Sequence, residues 1–189
     1  MSLAVSPSGR PSRTNREFYY SPSVAFDGEA FRVAWCGSGL DDSTTIYVNR
    51  VDCDGTFDVD SARAVCRVPG MVLNLNLRPG SGNLLLSWTD TRGLPDNPGD
   101  VYGTLLNADG TVSDPHGFVI CSNLQFQYLG DCVFNGDQYV VVWTELMPES
   151  GYRSEIYYNC IKPNGEVLFP GGRAICHHTS ARFSPSVAA

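Results

Sequence analysis

One pattern recurs three times along this chain: an apolar strand, a tight turn, and a second apolar strand that ends in tryptophan. Its clearest copy runs from Val133 to Trp143 around the turn Asn135-Gly136. An earlier copy runs from Val24 to Trp35 around Asp27-Gly28, and a looser one from Leu73 to Trp88 around Gly80-Ser81-Gly82-Asn83. After each Trp comes a polar segment of variable length and then a third apolar strand, beginning Ile46-Tyr47, Val101-Tyr102 and Ile156-Tyr157. Tyr47, Tyr102 and Tyr157 keep a constant interval of 55 residues. Each third strand ends in a turn, Asp54-Gly55, Asp109-Gly110 or Asn164-Gly165. A short fourth strand then closes on Val65-Cys66, Ile120-Cys121 or Ile175-Cys176.

Four strands per repeat, joined by hairpin turns, is the pattern of a β-propeller blade. A single four-stranded sheet cannot cover both of its faces, so each blade must stack on neighbours. Asp-Gly and Asn-Gly fit two-residue hairpins, whose central residues need positive φ. Alternation puts Phe31, Val33 and Trp35 on one face of the second strand, as it does Leu84, Leu86 and Trp88, and Tyr139, Val141 and Trp143. Trp35, Trp88, Trp143, Tyr47, Tyr102 and Tyr157 therefore read as structural core between blades. The expected fold is all-β: a β-propeller-like array of four-stranded antiparallel blades, with three full repeats and partial blades at both ends.

Residues 1–19 read as the remnant of a preceding blade followed by a polar arm. Blades follow at 20–66, 67–121 and 122–176. Residues 177–189 read as a crossover and the first strand of a further blade, because Ser184-Pro185-Ser186-Val187-Ala188 repeats Ser21-Pro22-Ser23-Val24-Ala25. Propellers have about four to eight blades. The expectation is thus a fragment of a longer propeller, or a module that closes its ring by self-association.

Ser21-Pro22-Ser23-Val24-Ala25-Phe26-Asp27-Gly28, Trp88-Thr89-Asp90-Thr91-Arg92 and Val101-Tyr102-Gly103 carry a resemblance. The chain resembles the propeller repeats, about 50 to 55 residues long, of secreted or surface-exposed bacterial proteins, with Pro-x-Val-Ala-x-Asp-Gly, Val-Val-Trp and Ile-Tyr-Gly motifs. The resemblance covers nearly the whole chain, but its motifs are structural. It implies the fold and an extracellular or cell-surface setting, and it supplies no catalytic residues. The middle repeat departs from it, since Leu73 to Pro79 lacks the Asp-Gly turn. The sialidase-type Asp box is absent.

The chain carries 20 acidic and 13 basic residues, with Lys162 the only lysine, for a net charge of −7. That balance argues against nucleic acid and anionic lipid as partners, since both need clustered cations. No apolar run approaches a membrane span, and the first residues lack the features of a signal peptide. Seven cysteines is a high and odd count. Cys66, Cys121 and Cys176 hold equivalent places in successive blades, too far apart to pair with one another, and read as small buried hydrophobes. No Cys-x-x-Cys occurs, and no motif calls for a cofactor or metal. Asp52 to Asp60 faintly resembles a calcium loop, but the equivalent turns lack its acids, so a hairpin is the better reading.

The tight turns lie on one rim and the variable connections on the other, and function on a rigid scaffold sits mostly in variable loops. The candidates for ligand binding are Asp41 and Asp42 in blade one, then Asp90, Arg92, Asp96 and Asp100 in blade two. Glu145, Glu149 and Arg153 follow in blade three, then His177 and His178. Each also has a plainer reading as turn chemistry or solvated surface. With repetition but no nucleophile, metal cage or phosphate loop, the expectation is a non-enzymatic binding or adhesion module, with a carbohydrate or protein ligand. A propeller glycoside hydrolase or polysaccharide lyase using rim carboxylates is the alternative, and a structural spacer is a third.

Overall fold

The computed structural model describes residues 18–38, 41–95, 99–147, 153–176 and 183–188. These form three four-stranded antiparallel sheets, each a simple meander. Blade one contains β1 (Tyr19–Phe26), β2 (Phe31–Ser38), β3 (Ser43–Val51) and β4 (Arg63–Pro69). Blade two contains β5 (Val72–Pro79), β6 (Asn83–Asp90), β7 (Asp100–Asn107) and β8 (Phe118–Cys121). Blade three contains β9 (Gln127–Phe134), β10 (Tyr139–Met147), β11 (Arg153–Ile161) and β12 (Arg173–Cys176). The proposed remnant at residues 1–17 lies outside the described residues.

Local chemistry sets the hairpins. Gly136 takes a φ of +99°, which an L side chain resists. The Asn135 side-chain oxygen accepts the N–H groups of Asp137 and Gln138, both at 3.0 Å, and Asp27 does the same for Glu29 and Ala30 at 2.9 and 2.8 Å. Blade two departs from this pattern because of its neighbour. The Tyr139 hydroxyl sits where a side chain at position 80 would project. That hydroxyl donates to Asn83 Oδ1 at 2.7 Å, and Asn83 Nδ2 donates to the Pro163 carbonyl at 2.8 Å. Blade three thus caps the blade-two turn, and no Asp is needed there.

Neighbouring blades meet through β1, β5 and β9 and through two apolar layers. The first layer packs Ala34, Ile46, Val65 and Val68 against Leu77, Leu86 and Trp88. The second packs Leu85, Leu105 and Ile120 against Leu129, Tyr139, Val141 and Trp143. Each fully buried large side chain contributes about 1.5–3 kcal/mol relative to exposure, so the two layers dominate stability. Polar links add direction: Leu77 N–H donates to Ser23 Oγ at 3.0 Å, and Arg78 pairs with Asp131 at 2.8 Å. Trp88 and Trp143 are fully buried and stack on Tyr102 and Tyr157. Trp35 stacks on Tyr47 at 5.7 Å but is only half-buried, because no earlier blade covers it among the described residues.

All seven cysteines are free thiols. Burial pushes Cys66 and Cys121 up to about 12, in keeping with packing rather than chemistry. The Asp52–Asp60 stretch is a hairpin turn: Asp54 accepts from the Thr56 N–H and hydroxyl at 2.9 and 2.7 Å. Asp58 then caps a short 3-10 turn at Val59–Ser61.

Candidate active site

The rim carrying the strand-to-strand crossovers bears acids at the ends of its middle strands. In blade three, Glu145 on β10 lies opposite Gln127 on β9 and opposite Glu155 on β11. Directly opposed residues project to one face. Trp143 and Tyr157, two residues further along their strands, share that face and stack at 6.0 Å. The face is turned toward blade two.

Glu145 is 4% exposed. Asn123, on the crossover into blade three, donates to both of its carboxylate oxygens at 3.3 and 3.1 Å, and to the Gly171 carbonyl at 3.3 Å. Among the described residues no cation pairs with Glu145. Burial raises its pKa, Asn123 opposes the shift, and the neighbouring Glu155 carboxylate adds to it. The buried Trp143 indole N–H reaches no hydrogen-bond geometry, yet it lies near enough to Glu145 to favour the ionised form. Tyr157 donates to Glu155 Oε2 at 3.4 Å, and its hydroxyl is pushed up to about 12 by burial and by the two glutamates. Gln127 donates to the Gln125 carbonyl, while its own Oε1 is buried without a partner. Two carboxyl groups opposed on a common face, one of them with its pKa raised by burial, are the groups that acid–base cleavage uses.

Blade two has the same geometry and a different outcome. Asp90 and Asp100 are opposed across β6 and β7. Asp90 accepts from Trp88 Nε1 at 2.9 Å and from Arg92 Nε and Nη2 at 2.9 and 2.6 Å. The Arg92 guanidinium also covers the Tyr102 ring at 4.1 Å and donates to the His116 carbonyl at 2.7 Å. Asp90 and Arg92, read from the sequence as loop ligands, form a closed internal ion pair. The blade-three position matching Arg92 is Met147, which leaves Glu145 without that cation.

The remaining candidates are scattered. Asp100 accepts from Ser122 Oγ at 3.1 Å, and both Asp100 and Glu145 lie near enough to raise the Cys121 thiol. Asp41 accepts from Ser43 Oγ at 2.6 Å and pairs with Arg67 at 2.5 Å, which lowers its pKa. Asp42 is an exposed turn residue with a φ of +56°. Arg153 is exposed at the start of β11. Asp96, Glu149, His177 and His178 lie outside the described residues. Glu155, Asn123 and Gln127 escaped the sequence reading. The signal for the acids was present: they fall two residues after the aligned Trp and two before the aligned Tyr, in both blades.

No family model matches the chain, and no curated protein does. Solved structures do match. An alpha-L-arabinanase of Penicillium chrysogenum, complexed with arabinobiose, is 16% identical with a TM-score of 0.52, over 85% of this chain and 50% of its own. An alpha-L-arabinofuranosidase from Lactobacillus brevis is 7% identical at 0.54, over 82% and 54%. An exo-1,5-alpha-L-arabinanase from a bovine ruminal metagenomic library is 13% identical at 0.53, over 88% and 60%. The chain spans about half the length of these proteins. At such identity the likeness shows the fold alone: the chain is a β-propeller-like array of three blades.

The likeness also corrects the expectation of a non-enzymatic module. The three solved propellers named above are arabinanases and an arabinofuranosidase, so the lack of a nucleophile or metal motif is no argument against an enzyme. Glycoside cleavage needs only two suitably placed carboxyl groups, with no nucleophile or metal motif.

Proposed function

We propose that this chain supplies three blades of a propeller glycoside hydrolase. The observation that carries the reading is the opposed pair Glu145–Glu155 on the crossover rim, with Glu145 buried, uncompensated by a cation and raised in pKa. With its pKa raised by burial, Glu145 is the carboxyl placed to act as general acid, delivering its proton to the glycosidic oxygen as the bond breaks. Glu155, half-buried beside it, is placed to face the positive charge that develops on the sugar ring, which water then captures. Asn123 fixes the Glu145 carboxyl group in place.

Polysaccharides containing arabinofuranosyl units are the substrate class to try first, because the fold is shared with arabinanases and an arabinofuranosidase. Membership of the secreted or surface repeat family, and an extracellular setting, belong to the same proposal and are tested by cell fractionation. The deciding experiment is release of reducing sugar from arabinan, aryl arabinofuranosides and a broader glycan panel. Turnover that disappears in Glu145→Gln, with the fold intact by circular dichroism, supports the reading. Turnover unchanged by that substitution, or no turnover on any glycan, overturns it.

A further inference from the structure

The seam between blades one and two differs from the seam between blades two and three at three matching positions, all toward the rim of the tight turns. Three residues before the aligned tryptophan, blade one has Arg32 and blade two has Leu85. Three residues after the aligned tyrosine stand Arg50 and Leu105, and three before the aligned cysteine stand Arg63 and Phe118. Leu85 and Leu105 are buried in the apolar layer between blades two and three, with Phe118 packed against it. Leu105 and Phe118 close over the blade-three hairpin, each 3.7 Å from where a Cβ at Gly165 would stand. Apolar side chains thus fill that seam and are held there by burial.

At the first seam the three arginines leave a cleft of about 220 Å³, which they line together with Val48, Asp109 and Gly110. Arg63 takes the place of Phe118 over the turn. Its Nη1 lies 3.5 Å from where a Cβ at Gly110 would stand and donates to the Asp109 carbonyl at 3.3 Å. Arg32 Nη2 donates to the Ala108 carbonyl at 3.3 Å. Asp27 holds Arg32 at 2.7 Å and Asp52 holds Arg50 at 2.8 Å, and neither carboxylate is part of the cleft lining. Among the described residues no carboxylate forms an ion pair with Arg63. Three of the 13 cations in a chain of net charge −7 therefore converge on one opening. Blade stacking does not call for them, since three apolar side chains do the same work at the next seam.

We infer that this cleft binds a small carboxylate that carries several hydroxyl groups, of the sugar-acid class. Planar guanidinium groups grip a carboxylate through paired N–H donors. The volume lies below the about 300–1,000 Å³ of pockets that enclose a drug-sized ligand, and it suits a single sugar unit. Asp109 accepts the Thr111 N–H and hydroxyl through Oδ1, at 2.9 and 2.6 Å, which leaves Oδ2 to accept a ligand hydroxyl. The same negative charge among the arginines disfavours a doubly charged sulfate or phosphate. The cleft lies on the rim opposite Glu145 and Glu155, and the inference holds whether or not those acids cut a glycosidic bond.

An amide NMR titration of the full chain with D-galacturonate and D-glucuronate tests it, with D-galactose and inorganic sulfate as comparison arms. At least one sugar acid is expected to give saturable shifts around Arg63 and Gly110, weaker at high salt. Galactose should give none, and sulfate should bind at least about tenfold more weakly. Arg63→Gln should weaken sugar-acid binding by about tenfold or more. Arg50→Leu combined with Arg63→Phe copies the filling of the second seam, and should abolish binding while melting no lower than the wild type. No saturable shift with either sugar acid overturns the inference. So do equal shifts with galactose, sulfate bound as tightly as the sugar acid, or unchanged affinity in the double variant.

Discussion

Glu145 and Glu155 stand opposite each other on β10 and β11, two residues along from the stacked rings of Trp143 and Tyr157. Burial and a like-charged neighbour both hold the Glu145 carboxyl above its ordinary value. As a general acid it must be protonated, so hydrolysis should fall as pH rises through this raised pKa. Glu155→Gln removes the neighbouring charge and should move that alkaline limb to lower pH. The same shift acts on stability. The native state binds more protons than the unfolded one from about pH 4.3, the ordinary glutamate value, up to the raised pKa. Stability should therefore decline with rising pH across that window, and the decline should vanish in Glu145→Gln. Melting temperatures at a series of pH values check this without any substrate.

The Asp90–Arg92 pair makes the opposite prediction. Asp90 has no exposed side-chain surface, and its oxygens are taken up by Trp88, the Arg92 N–H and the Arg92 guanidinium. Arg92→Ala leaves that carboxylate buried without a cation and should cost about 3 kcal/mol of unfolding free energy. Asp90→Leu combined with Arg92→Met should recover most of the loss, since no charge is then stranded. Urea denaturation of the two variants separates the cases. A loss below about 1 kcal/mol for Arg92→Ala would place the pair among ordinary surface ion pairs.

The three blades were legible because strand periodicity, hairpin glycines and the Trp and Tyr landmarks are local signals. The acid pair was not, because it is created by register. Trp143 pairs with Tyr157, so the residue two after one faces the residue two before the other. Reading loops as the seat of chemistry gave Glu145 but passed over Glu155, which lies inside a strand. The missing Asp at the blade-two turn was visible, but its cause was not. Tyr139 reaches Gly80 and Asn83 from the next blade, a contact that no local pattern carries. Trp35 looked like its two relatives, and only the stacking of whole blades distinguishes it.

Gly172 offers a test of how closely the blade-three loop is fitted over the aromatic pair. A Cβ there would run into the Trp143 ring, and the residue also has a φ of +76°. Gly82 shares the left-handed backbone, at +86°, but has open space around it. Gly82→Ala should cost about 1 kcal/mol, from backbone strain alone. Gly172→Ala should cost about 2 kcal/mol more, because Trp143 must leave its packed rotamer. Equal losses in the two variants would mean that the loop gives way easily. Tryptophan fluorescence should shift in Gly172→Ala only.

Thiol labelling probes the packing of the blades. Burial pushes Cys36, Cys66, Cys121 and Cys132 up to about 12. At pH 8 an ordinary thiol is about one-quarter thiolate, and one at 12 is about one part in ten thousand. Cys53 is exposed and should be alkylated first, with half-buried Cys176 second. The four raised thiols should react only when the protein unfolds, at a rate that follows global opening. Early labelling of Cys66 or Cys121 would mean that the blades separate while the sheets survive. Mass spectrometry of peptides quenched along a time course reads the order of labelling in one experiment.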